Sequence, residues 1–132
     1  MTRWLLWGLT GGFVGCGSSE PVPVASVAKI QQIDAAALRA KLKAGEVPIL
    51  VDVRTPGERE RGSIPGSVGI PLDELPNRLN ELEAYQDDLV YLVCQSGSRS
   101  MRAAGFLAEH GFTTVNIKDG TGSWKAQGWP VE

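Results

Sequence analysis

The sequence predicts an α/β domain built on a mostly parallel sheet flanked by helices on both faces, and three observations predict it. Apolar, β-branched runs of strand length, "VPILVDVR" and "DLVYLVC" chief among them, lack the polar alternation of a sheet with one wet face. Segments with helical composition or leucine spacing separate these runs, and no long alternating hairpin joins them. The 132 residues suit one domain, and 42% hydrophobic against 21% charged residues is the balance of a chain that folds around a core.

The N-terminus reads differently from the rest. Arg3 precedes an apolar stretch, Trp4 to Val14, followed by Gly15 and Cys16, which is the layout of a signal peptide over residues 1–15. The stretch is far shorter than the roughly 20 residues a helix needs to cross a bilayer. Phe13, Val14 and Gly15 resemble the lipobox of bacterial lipoproteins, with Phe13 where leucine is usual. That resemblance implies cleavage before Cys16, lipidation of Cys16, and an address at the bacterial cell envelope, lipid-anchored to the membrane and facing the periplasm. An ordinary secretory leader or a chance cytosolic N-terminus are the alternatives. Residues 16–28, with "GSSEPVPVASV", carry small residues, two prolines and no helical period, and are expected to be a lipid-anchored flexible tether before a domain over 29–132.

Within that domain Asp34 caps "AAALRAKLKAG", whose Ala, Leu and Lys favour a helix that Gly45 stops. A buried strand spans Val47 to Arg54. The Gly- and Pro-rich "TPGERERGSIPGSVGIP" reads as a connection with one short strand around Ser67 to Ile70. Leucines at 72, 75, 79 and 82 predict a helix with Pro76 in its first turn. A second buried strand runs from Asp88 to Cys94, a helix follows and ends at Gly111, and Phe112 to Lys118 is a third strand.

Composition excludes several functions. A net charge of -2, from 13 basic and 15 acidic residues interspersed, gives no electrostatic footprint for nucleic acid, and no internal repeat recurs. Cysteine is present only at 16 and 94, so acylation of the first would leave Cys94 without a disulfide partner. With one histidine, His110, and one unmodified cysteine, a zinc site is disfavoured, and no metal or other cofactor is expected.

Cys94 ends a strand about five residues before a helix, the place where ligands gather in parallel sheets. Gln95, Ser96, Gly97 and Ser98 carry little bulk apart from Gln95, so the backbone can curl and turn several N–H groups inward as an anion-binding nest. The helix N-terminus adds roughly half a positive charge, and Arg99 adds a whole one. Such surroundings lower a cysteine pKa from its usual value of about 8.5 and make a nucleophile. A buried, inert thiol is the competing reading, but it has no need of a glycine-containing polar loop leading to an arginine.

Three blocks in order resemble the rhodanese-like sulfurtransferases, single-domain members in particular. "ILVDVRTPGERERGSIPGSVGIPL" is similar to a signature in which Asp-x-Arg leads to Glu and Gly-His-Ile-Pro-Gly. "YLVCQSGSRS" resembles the loop Cys-x-x-Gly-x-Arg-Ser, and "DGTGSWKAQGWP" resembles a closing Gly-x-x-x-Trp-x-x-x-Gly-x-Pro. The resemblance implies a rhodanese-like fold and a persulfide mechanism. Cys94 takes sulfane sulfur from a small anionic donor such as thiosulfate, and cyanide or an acceptor thiol removes it. Inward amides from Gln95 to Ser100 stabilise the charge. Arg99 either orients the donor and the leaving sulfite or points outward into a salt bridge. Asp52 and Arg54, alternate residues on one side of a strand, are expected to form a supporting ion pair, with Glu58 in the same polar scaffold.

Two residues depart from the pattern, Ser63 where His is usual and Arg59 where an aromatic is common. Arg59 and Arg61 read as solvated loop charges that help attract anions, and Trp124 and Trp129 as packing for the terminal segment rather than ligand stacking. Two alternatives stand beside sulfur transfer. One is a non-catalytic, membrane-tethered docking module. The other is a cysteine phosphatase or arsenate reductase, disfavoured because its loop from Cys to Arg is one residue longer than the four-residue gap here.

Overall fold

A computed structural model describes residues 30–132. The leader over 1–15, lipidation of Cys16 and the tether over 16–28 lie outside the described residues. Strands β1 (Ile30–Ile33), β2 (Ile49–Asp52), β3 (Val68–Gly69), β4 (Leu89–Val93) and β5 (Thr113–Ile117) form one sheet in the order β1-β5-β4-β2-β3. Every neighbouring pair is parallel. The helices are α1 (Ala35–Lys43), α2 (Pro56–Glu60), α3 (Ser98–Glu109) and α4 (Gly120–Ala126), with 3₁₀ segments at Leu75–Asn77 and Leu79–Tyr85.

Both faces of the sheet are covered, which is why its central strands read as continuous apolar runs. Ile49 and Val51 of β2, Val53 just beyond it, Val90 and Leu92 of β4 and Cys94 just beyond that pack with Ala103, Ala104 and Leu107 of α3 and with Leu75 and Leu82 of the 3₁₀ segments. The intervening Leu50, Tyr91 and Val93 join Val115 and Ile117 of β5 against Leu38 of α1 and Trp124 of α4. The α/β class and two-sided covering are therefore as the sequence predicts.

Four local elements differ from the sequence reading. Strand β1 was not expected, because Gln31 and Gln32 are exposed on this short edge strand and give it no apolar alternation. The connection after β2 holds α2, whose capping box joins Thr55 to Glu58 with a proline in the first turn. The leucine stripe from 72 to 82 forms 3₁₀ turns, not an α-helix. Leu75 and Leu82 are buried as the spacing requires, but the chain breaks at Arg78, where φ is -124° and ion pairs reach Glu74 and Glu81. Helix α4 was also unassigned, its start hidden by Gly120 and Gly122.

The start of α4 meets the segment following β4. The amide of Thr121 donates to the carbonyl of Cys94 at 2.8 Å and that of Gly122 to the carbonyl of Gln95 at 3.0 Å. Gly120 has φ of +64°, and a methyl group on it would strike both carbonyl oxygens. Gly105, inside α3, has open space around it. Gly120→Ala should therefore cost about 2 kcal/mol, a fall in thermal midpoint of roughly 10 °C. Gly105→Ala should instead raise stability by roughly 0.5–1 kcal/mol through helix propensity; thermal melts of both variants compare the two effects.

Candidate active site

Cys94 follows β4 with the side-chain direction of Val90 and Leu92, so it points toward α3 and is 0% exposed. The turn between strand and helix is tight, with α3 beginning at Ser98 as the sequence predicts. Gly97 makes it possible: its φ is +97°, and any Cβ there would collide with the carbonyl of Lys118. The grip of α4 fixes the peptide planes. With the Gln95 carbonyl turned to Gly122, the N–H on the opposite side of that planar unit, which belongs to Ser96, faces the sulfur.

The result is a ring of donors around the thiol. The Gly97 amide donates to Cys94 Sγ at 3.1 Å, and Ser100 Oγ lies 3.3 Å from it. Burial pushes the thiol pKa up, but the Ser100 hydroxyl and the amides of Ser100, Ser96 and Gly97 outweigh it and hold the pKa below its ordinary value. Gln95 is exposed above the turn, its side chain accepting from Thr121 Oγ1 at 3.1 Å. Ser98 is exposed at the first position of α3. His110 plays no part, for it lies exposed at the far end of α3 against the carbonyl of Phe106.

Arg99 takes the ion-paired arrangement of the two open to it from sequence. Its guanidinium grips Glu58 in fork fashion at 2.7 and 2.8 Å. Asp52 and Arg54 are buried at 0% and 1% exposure and paired at 2.8 Å. Arg54 also donates to the carbonyls of Glu58 and Gly62, tying β2 to the loop after it. Arg59 is not the solvated charge that its loop position suggested. It reaches the same Asp52 at 3.1 Å, donates to Ser67 Oγ and O, and lies against Gly69. Ser63 is buried and held through its main chain, which exchanges two 2.9 Å hydrogen bonds with Glu132.

Over the turn lies a shallow polar depression of about 270 Å³ lined by Arg54, Glu58, Arg61, Gln95 and Lys125. Lys125 Nζ donates to the Arg61 carbonyl, and neither side chain is in an ion pair among the described residues. Trp124 donates its indole N–H to the carbonyl of Pro130 and meets Trp129 edge-on, so both pack the terminal segment. Asn116 was missed by the sequence reading. Its side chain, buried on β5, contacts Ser100 and Gly97. A polar residue within an apolar strand run was the available signal. Among the described residues no group of three or more His, Cys, Asp or Glu is arranged to hold a metal, and no helix is long and apolar enough to cross a membrane.

A five-stranded parallel sheet carries a cysteine-headed turn at the carboxyl end of its central strand, which defines the class as an α/β domain with its candidate site at the strand ends. The model of the family described as the rhodanese-like domain matches residues 34–127, and the chain belongs to that family. It is similar to a putative sulfurtransferase of Bacillus subtilis, with 36% identity over 77% of this chain and 97% of that one. A sulfurtransferase of Allochromatium vinosum is 34% identical over 77% of this chain and 94% of its own. Among solved structures, a rhodanese-related protein from Thermoplasma volcanium superposes with a TM-score of 0.69 at 36% identity, covering 77% of this chain and 97% of that chain.

The Arg99–Glu58 pair gives the site a pH signature. Hydrogen bonding from Arg99, aided by the Thr55 amide and hydroxyl, lowers the Glu58 pKa from an ordinary 4.5 to about 2. A folded value below the unfolded one means that the stabilisation is complete above 4.5 and is lost as pH falls toward 2. Glu58→Gln should cost roughly 1 kcal/mol at neutral pH and should flatten that acid limb, as read by urea unfolding at stepped pH.

Proposed function

We propose that the protein is a sulfurtransferase that moves sulfane sulfur from a small anionic donor to an acceptor through a persulfide on Cys94. The observation that carries this reading is the sulfur cradled by the Gly97 amide and Ser100, with a lowered pKa and no histidine base. The thiolate attacks the outer sulfur of a thiosulfate-like donor. A sulfur–sulfur bond forms, the donor's own sulfur–sulfur bond breaks, and sulfite leaves with the electron pair. Cyanide or an acceptor thiolate then attacks the outer sulfur of the persulfide and releases the Cys94 thiolate. The same amides face negative charge at every stage, so no proton relay is required. Arg61 and Lys125 at the mouth supply the attraction for an anion.

The sulfurtransferase names and family of the relatives support this reading. One observation favours the docking module instead: Cys94 has no exposed surface, so a donor reaches it only when the turn above it opens. Intact mass after exposure to thiosulfate separates the two. One added sulfur is expected on the protein and none on Cys94→Ser, with cyanide removing the adduct as thiocyanate. A reduced protein that gains no sulfur at neutral pH would support docking, and turnover of phosphate esters without a sulfur adduct would support the phosphatase reading.

The proposed location is the bacterial cell envelope, with lipid on Cys16 anchoring the domain on the periplasmic side. The support is the sequence layout of Arg3, the apolar stretch and Gly15–Cys16. Palmitate labelling that Cys16→Ser abolishes, and processing that globomycin blocks, are the expected outcomes; an unlabelled soluble product would refute the anchor.

A further inference from the structure

Behind the sulfur lies a short chain of buried, uncharged polar groups whose hydrogens can be counted. Cys94 and Ser100 are 0% exposed and Asn116 is 1% exposed, so bulk water does not add donors or acceptors. Ser100 Oγ lies 3.3 Å from Cys94 Sγ and 2.5 Å from Asn116 Oδ1. Asn116 Nδ2 lies 3.3 Å from the Gly97 carbonyl and 3.3 Å from Gln32 Oε1. The Gly97 carbonyl can only accept, so it fixes which end of the amide is nitrogen and turns the oxygen toward Ser100.

The serine hydroxyl has one hydrogen. With Asn116 Oδ1 the nearer acceptor, that hydrogen is held by Asn116, and the neutral thiol donates its own to Ser100 Oγ. When Cys94 ionises, sulfur becomes an acceptor too, and Ser100 stabilises it only by leaving Asn116. We infer that Asn116 is a positioning residue that limits the acidity of Cys94 by competing with the thiolate for the hydrogen of Ser100. It also braces the Gly97 carbonyl and thereby the neighbouring amide that faces sulfur.

The surrounding charges make no hydrogen bond to Cys94, Ser100 or Asn116, and Arg99 acts on the sulfur only through its field. Arg99 of α3 is held by Glu58 of α2, and Arg54 and Arg59 by Asp52 at the end of β2. Of the residues after β5, Asp119 accepts from the Ala35 amide, and Lys118 presents its carbonyl to Gly97. The hydrogen-bond partners of Asn116 are all uncharged.

The test is the thiolate ultraviolet absorbance followed against pH in the full chain, with the same protein carrying Cys94→Ser subtracted to remove Cys16. Asn116→Leu keeps the branching at Cγ and removes the acceptor. It should lower the Cys94 pKa by about one unit, the scale of one charge-assisted hydrogen bond gained by the thiolate. In a Ser100→Ala background the same substitution should shift the pKa by no more than a few tenths. Asn116→Val, smaller and suited to a strand, carries the same expectation if the leucine variant does not fold. An unchanged or raised pKa, or an equal drop without Ser100, would overturn the assignment. The inference concerns the same Cys94 as the proposed sulfur transfer, but no donor is present in the titration, so either can fail while the other stands.

Discussion

A thiol with no exposed surface, whose ionised form is favoured over that of an ordinary cysteine, is the constraint on which the rest of the site depends. An uncompensated buried charge is among the costliest things a fold can hold. Here the compensation comes first from one hydroxyl and from backbone amides, and Arg99 adds only a coulombic share from a distance. Amides have no side-chain freedom to lose, but they point where the chain path sends them. The path is therefore what the structure must specify, and Gly97 and Gly120 occupy positions where a side chain would collide with a carbonyl. The start of α4 completes the arrangement by occupying the carbonyls of Cys94 and Gln95.

A second set of charges holds the loops around this nest. Asp52 is buried between Arg54 and Arg59, and every buried side-chain nitrogen and oxygen among the described residues has a partner. Such a network adds little stability over an apolar replacement, yet removing one member strands a buried charge at a cost of about 3–5 kcal/mol. Its value is geometric. Arg54 links the end of β2 to the carbonyls of Glu58 and Gly62, and Glu58 in turn links that loop to Arg99 at the first turn of α3. The loop after β2 is thus fastened to the helix whose N-terminus faces the thiol.

Much of this was legible from residues alone, for reasons that differ from place to place. The buried strands were readable because two-sided covering leaves an unbroken apolar run, and the nest because a glycine among small polar residues between strand and helix has few other uses. Strand β1 was hidden because an edge strand with exposed glutamines has no apolar period. The segment from 72 to 85 misled because 3₁₀ turns bury the same leucines that an α-helix would. Arg59 could not be placed, since its partner Asp52 is set by the parallel pairing of β2 with β3 and the fold of the loop between them. Asn116 gave only a weak signal, a polar residue between Val115 and Ile117, because its meaning depends on β5 lying beside β4, a neighbour relation that no local pattern encodes.

The geometry also supports the proposed preference of this nest for sulfur over a phosphoryl group. A tetrahedral phosphate in such a loop calls for an arginine free to bind two of its oxygens and for amides spaced to surround all of them. Arg99 is committed to Glu58 at both ends of its fork, and only four residues separate it from Cys94. Releasing it would expose the carboxylate of Glu58 beside the incoming anion, adding repulsion where attraction is needed. A persulfide asks for less. It extends the thiolate by one atom, spreads its charge over a polarisable sulfur, and is served by inward amides without a bidentate clamp. The cations left for the anion are Arg61 and Lys125 at the rim. In the proposed transfer they would draw an anionic donor to the mouth without clamping the sulfite that leaves.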